Sequence, residues 1–323
     1  MKRTFYLQIS IVVLAVLAAL LTTPYLKKFF VDDGTRIDLM CEWVNDDNLQ
    51  PEIVVFGGSD AMSGVNGYLL EEKLNKSVLS MTNTGQFISQ SSLFFSKLSE
   101  NTKIVILCRA VGADMERDEP EGIEASRYIY NGYELDSISK AFIGEKNASK
   151  FNKTRLQATF ELRGFLKEGI NTVLRDHLFR PNPCADSIKS KIYPYYYVYE
   201  NAPESQFTKY SRPQQKPDEQ ILTDFQVDRF KSFNDYFKQR GIEFYLVLMP
   251  TSTYMSNRVP SVYKPQFEAF SQQTEIPILD LTVLLDDDEF YDPNHPNRSG
   301  AVKVTNAICD FIMNQSKNVV ISD

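Results

Sequence analysis

Pro51 to Gly85 reads PEIVVFGGSDAMSGVNGYLLEEKLNKSVLSMTNTG. Two short apolar runs, IVVF (53–56) and SVLS (77–80), bracket NGYLLEEKL (66–74), whose leucines recur at helical spacing. A strand, a helix and a second strand in so few residues describe a parallel crossover, because antiparallel neighbours need only a tight turn between them. Three more runs of the same kind follow, KIVILC (103–108), EFYLVLM (243–249) and PILDL (277–281). Helical stretches lie between and after them: SQSSLFFSKLSE, FQVDRFKSFNDYFKQR ending at Gly241, YKPQFEAFSQQ and the closing AVKVTNAICDFIMNQ. Runs that are apolar throughout belong to strands buried on both faces. The expected fold is therefore α/β, a flavodoxin-like doubly wound parallel sheet of about five strands.

The segment 115–218 does not fit that alternation, and we read it as one long insertion between the third and fourth strands. It carries a helical run, TRLQATFELRGFLKEGINTVLRDHLF, and an aromatic stretch with Tyr193, Tyr195, Tyr196, Tyr197 and Tyr199. Packing onto the main body is the preferred role for these tyrosines over stacking sugar rings. His177 lies in the same segment and is assigned no role. The sequons at Asn147 and Asn152 would matter only in a eukaryotic secretory protein.

The amino terminus is of another character. Between Arg3 and Lys27 no residue is charged, and a bilayer-spanning helix needs roughly 20 such residues. The apolar run exceeds the usual h-region of a cleaved signal, about 7–15 residues, so an uncleaved anchor over 1–28 is preferred to a signal peptide. The domain, 29–323, is expected outside the cytoplasmic membrane. Lys27 to Glu52 reads as a stalk that packs onto it.

A net charge of −7 with scattered Lys and Arg speaks against nucleic acid. Cys41, Cys108, Cys184 and Cys309 have no metal-ligand spacing, and leave room for one disulfide whose partners the sequence does not fix. No G-x-G-x-x-G or P-loop is present. Neither metal nor cofactor is expected.

Ligands of an open parallel sheet bind beyond the carboxyl ends of its strands. After the first strand stands Gly57-Gly58-Ser59-Asp60, and after the second Asn83-Thr84-Gly85. Arg109 follows the third, Pro250-Thr251-Ser252-Thr253 the fourth, and FYDPNHPNRSGA (290–301), with Asp292 and His295, the fifth. A serine on a strand-to-helix turn has an exposed hydroxyl and a backbone N–H at a helix start, as a nucleophile with an oxyanion donor requires.

These blocks resemble the first, second and last blocks of the SGNH (GDSL-type) hydrolases, over roughly residues 50–115 and 240–315. The single anchor is similar to that of relatives that O-acetylate exported polysaccharides or assist D-alanylation of cell-wall polymers. The resemblance implies Ser59 as nucleophile, His295 as general base and Asp292 as its orienter. It implies the Ser59 and Gly85 amides as oxyanion hole. Gly58 stands where the family has Asp, and Asp60 where it has Leu. The family's third-block Asn is absent: RAVGAD follows KIVILC, with Arg109 as the candidate replacement or as a holder of an anionic group. The implied activity is that of an esterase or O-acyltransferase on a glycan or cell-envelope polymer, with a membrane-bound acyltransferase as candidate partner. The alternative is a non-catalytic scaffold of the same fold that binds such an acyltransferase or a glycan.

Overall fold

A computed structural model describes residues 35–110, 122–162, 222–254 and 260–320, together with Tyr6, Ile9, Ser10, Ile11, Val13 and Leu14. The domain opens with helix α1 (Thr35–Trp43) and then strand β1 (Ile53–Gly57). Helices α2 (Ser59–Gly64) and α3 (Gly67–Leu74) lead to β2 (Val78–Thr82), and α4 (Ile88–Ser92) to β3 (Ile104–Arg109). Next come α5 (Ala125–Tyr130), α6 (Ser137–Ala148), α7 (Asp224–Gln239) and β4 (Glu243–Leu248). Helix α8 (Pro260–Thr274), β5 (Ile278–Asp280), the two short strands β6 (Phe290–Asp292) and β7 (His295–Pro296), and α9 (Arg298–Val320) complete it.

The strands β1 to β5 form one sheet in the order β2-β1-β3-β4-β5, every neighbouring pair parallel. This is the α/β sheet with flanking helices expected from the alternation. Each expected strand begins or ends within a residue or two of the observed one. The stretch SQSSLFFSKLSE departs from expectation: its α-helix stops at Ser92 and only a 3₁₀ turn, Phe95–Lys97, follows. There Phe94 and Phe95 are drawn wholly into the core.

Side chains alternate across a strand, so the apolar runs serve two faces. Val54, Phe56, Val105, Leu107, Phe244 and Leu246 pack on one side with Met40 of α1, Ile143 of α6, Phe233 of α7 and Phe270 of α8. Ile53, Val55, Ile104, Ile106, Tyr245 and Val247 pack on the other with Ala61, Leu70, Val304 and Ile308 of α2, α3 and α9. Phe95 lies 4.9–5.2 Å, ring to ring, from Phe56, Phe233 and Phe237. Burying such a ring contributes about 1.5–3 kcal/mol.

Residues 122–151 share this core: Ile123, Tyr128, Tyr133 and Ile143 are buried in it. Residues 155–162, the described part of the expected helical run, are helical. The tyrosine cluster, His177 and Cys184 lie outside the described residues. So does the expected anchor over 1–28, apart from the six positions named; no helix of the described residues is long and apolar enough to cross a membrane. Cys41, Cys108 and Cys309 are buried free thiols, and among the described residues no disulfide forms.

At the sheet's open side α1 covers the edge strand. Arg36 of α1 is buried and donates from Nε to the Thr82 carbonyl (2.5 Å) and from Nη2 to that of Ser80 (3.0 Å). These carbonyls lie on the edge of β2, which has a strand neighbour on one side only. Asp38, also on α1, pairs with Arg127 of α5 through both carboxylate oxygens, at 3.2 and 3.1 Å. Helix α1, within the expected stalk, thus covers the edge strand of the domain.

Candidate active site

Strand β1 ends at Gly57, and the reason for glycine there is space. A Cβ at this position would lie 2.4 Å from the Ala61 Cβ and 2.9 Å from the Cys108 carbonyl. The chain then turns through the extended N-cap Gly58 into α2, whose first residue is Ser59. The tight approach of α2 to β1 and β3 thereby fixes where the Ser59 hydroxyl stands.

Asp292 and His295 arise from the last loop, which forms a two-stranded antiparallel ribbon with these two residues paired across it. The Asp292 carboxylate closes the turn itself, its Oδ1 accepting the N–H groups of Asn294 (3.0 Å) and His295 (3.1 Å). His295 Nδ1 lies 2.7 Å from both Asp292 oxygens, and His295 Nε2 lies 2.8 Å from Ser59 Oγ. The structure thus brings together the three residues singled out from opposite ends of the chain.

Several bonds hold that ribbon in place. The Ser252 N–H donates to the Pro293 carbonyl (3.1 Å), and Thr253 donates through its N–H (2.7 Å) and hydroxyl to Asp287. Asn297 donates from Nδ2 to the Asp288 carbonyl (2.8 Å), while its Oδ1 accepts the Ser299 and Gly300 N–H groups at the start of α9. The loop after β4, noticed only as PTST in the sequence, therefore buttresses the histidine's loop.

Gly85 sits in a turn closed by the Gln86 N–H to the Asn83 carbonyl (3.1 Å), and its φ of 63° is the left-handed conformation that glycine adopts most readily. The Asn83 N–H bonds to the Gly57 carbonyl (3.2 Å), so this turn is tied to the strand end that launches Ser59. Arg109 is buried at the end of β3, and its Nη1 donates to the Gln86 carbonyl (2.5 Å). The guanidinium therefore grips the backbone of the Gly85 turn, a role the sequence did not disclose.

Burial alone would raise the Asp292 pKa. The hydrogen bond and charge of His295, with the two backbone N–H groups, outweigh it and hold the carboxyl below its usual range. Asp292 is thus a carboxylate at neutral pH. It keeps the proton of a neutral imidazole on Nδ1, leaving Nε2 to accept from the Ser59 hydroxyl. Such a chain can draw a proton from Ser59 and hold the cation that results. Among the described residues no group of three His, Cys, Asp or Glu stands ready to hold a metal ion.

No known family model matches the chain, and no curated protein matches it. Solved structures do match. One is a crystal structure of a proposed acylhydrolase from Bacteroides fragilis, 13% identical over 84% of this chain and 89% of that one, with a TM-score of 0.39. What the Ser59 site does is read from its own geometry.

Proposed function

We propose that this chain is an acyl-ester enzyme of the SGNH (GDSL) type, either an esterase or an O-acyltransferase. In this reading it is anchored by residues 1–28 at the outer face of the cytoplasmic membrane and acts on a glycan or cell-envelope polymer. A membrane-bound acyltransferase is its candidate partner. The observation that carries the chemistry is the unbroken hydrogen-bond chain Ser59–His295–Asp292 at the carboxyl ends of the strands. The membrane reading is supported by the uncharged run between Arg3 and Lys27. It is supported too by Tyr6, Ile9, Ile11, Val13 and Leu14, helical positions whose apolar side chains are 44–65% exposed.

Ser59 Oγ attacks the ester carbonyl carbon while its proton passes to His295 Nε2, and Asp292 stabilises the imidazolium. The amides of Ser59 and Gly85 receive the negative charge that develops on the carbonyl oxygen. Collapse expels the alcohol, which takes the proton from His295 and leaves an acyl ester on Ser59. Water, or a polymer hydroxyl, then attacks that ester with His295 again as base. Arg109 acts one step back, holding the Gly85 turn through the Gln86 carbonyl.

The test is the full-length protein in detergent with a small acetyl ester and a fluorophosphonate probe. Wild type turns over the ester and is labelled at Ser59, and Ser59→Ala abolishes both. Full ester turnover by Ser59→Ala would overturn the mechanism.

A further inference from the structure

The membrane reading and the direction of α1 together decide which way the site faces. Arg36, in the first turn of α1, bonds to the carbonyls of Ser80 and Thr82, the latter immediately before the Asn83–Gly85 turn. The helix then runs nine residues, roughly 13 Å. Beyond it the Glu52 N–H bonds to the Ser77 carbonyl, just before β2 begins, and β1 starts at Ile53. Helix α1 therefore descends from the carboxyl edge of the sheet to its amino edge. The chain comes into the domain on the side where Ser59, Gly85 and His295 stand.

Residues 27–34 are all that separate the uncharged segment from Thr35, so the connection spans at most about 30 Å even when fully extended. A body of this size has a radius of gyration near 19 Å and is roughly 50 Å across. A tether shorter than the body is wide cannot reach around to the far side. With its entry fixed near the carboxyl edge by Arg36, such a tether keeps that edge toward the bilayer.

We infer that the reactive edge of the sheet faces the membrane surface, and that the acyl ester taken by Ser59 is one presented there by a membrane-borne amphiphile. This rests on the anchored-enzyme reading above. The orientation is measured in full-length protein reconstituted into phosphatidylcholine vesicles that carry a headgroup-labelled acceptor lipid. A donor dye is placed on Val283→Cys, exposed beyond the end of β5, or on Glu100→Cys, exposed before β3. Both are made in a Cys184→Ser background, the other thiols being buried. Energy transfer is greater from position 283 than from position 100; equal or reversed transfer overturns the inference.

A second arm lengthens the tether with about thirty Gly/Ser residues inserted before Thr35. Effective concentration falls roughly as the −3/2 power of tether length, so turnover of a vesicle-borne acyl ester should drop about tenfold. Turnover of a water-soluble ester stays at the wild-type rate. If the soluble ester is cleaved and the spacer leaves the vesicle-borne ester unaffected, the inference is wrong. If neither ester is cleaved, the enzyme reading is what fails, and the energy-transfer comparison still decides the orientation.

Discussion

Replacing Asp292 by Asn exchanges one carboxylate oxygen for an NH₂ and tests how the histidine is held. The carboxylate receives three donors: Nδ1 of His295 at 2.7 Å and the N–H groups of Asn294 and His295 at 3.0 and 3.1 Å. An asparagine can keep Oδ1 on the two backbone donors, so the turn survives. Its remaining group is then an NH₂, which requires Nδ1 of His295 to accept. That moves the imidazole proton to Nε2, where it points at Ser59 Oγ, 2.8 Å away. A protonated Nε2 cannot take the serine's proton. Wrong-tautomer variants of such triads lose about 10⁴ in kcat, which corresponds to about 5 kcal/mol of transition-state stabilisation. KM should change little, because Asp292 does not touch the ester. The assay is steady-state hydrolysis of a small acetyl ester, with the rate of fluorophosphonate labelling as an independent reading of Ser59. A thermal melt near that of wild type shows the fold intact. An Asp292→Asn protein within tenfold of wild-type kcat would refute the role assigned to the carboxylate. The acid response carries a sign of its own. Because the folded pKa of Asp292 is lowered, its stabilising contribution is present above the ordinary carboxylate pKa and is lost as pH falls through the folded value. The Asp292→Asn variant lacks that loss and should be less sensitive to acid.

Two stability predictions accompany it. Gly57→Ala forces a Cβ against Ala61 and the Cys108 carbonyl, and overpacking of this kind costs about 1–3 kcal/mol. A thermal melt should fall by several degrees, and an unchanged melting point would contradict the packing described. Asp136 caps α6 by accepting from the Ser139 N–H; burial opposes its ionisation, but Lys97, Ser139 and Ser96 bring its pKa down to about 2. Asp136→Ala should cost about 1 kcal/mol at neutral pH, the usual worth of a cap, with the ion pair adding little at its partly exposed site. In urea titrations the gap from wild type should close between about pH 4 and pH 2, since a depressed carboxylate stabilises only while ionised. A gap that stays constant into acid would rule out the carboxylate as its source.

The parts of this molecule that were legible in the sequence are those whose physics is local. The strands announce themselves because a doubly covered strand is largely apolar, as IVVF (53–56) and IVILC (104–108) are. Ser59 was legible because it stands directly beyond such a strand, and Asp292–His295 because they lie in the polar loop that follows the last one. Arg109 was noticed for its position, but its grip on the Gln86 carbonyl joins residues 23 apart in sequence, and no spacing rule reports it. The Thr253–Asp287 clamp and the Arg36 cap on β2 escaped for the same reason, being contacts that exist only once the sheet is assembled. Helix α6 did leave a local trace, Asp136-Ser137 ahead of Ile138, Phe142 and Ile143. That is a capping residue before apolar positions four and five apart, and attention to strands passed it over.

The hydrogen bond between Ser59 and His295 joins residues 236 apart in sequence. Contacts that close so large a loop form late, after most of the chain has been ordered. The nucleophile is made early in synthesis and its base near the end, with β3, β4 and β5 between them. No nascent form of this chain that lacks the last loop can therefore hold the Ser59–His295 bond. In the enzyme reading proposed above, reactivity is switched on by completion of the fold itself.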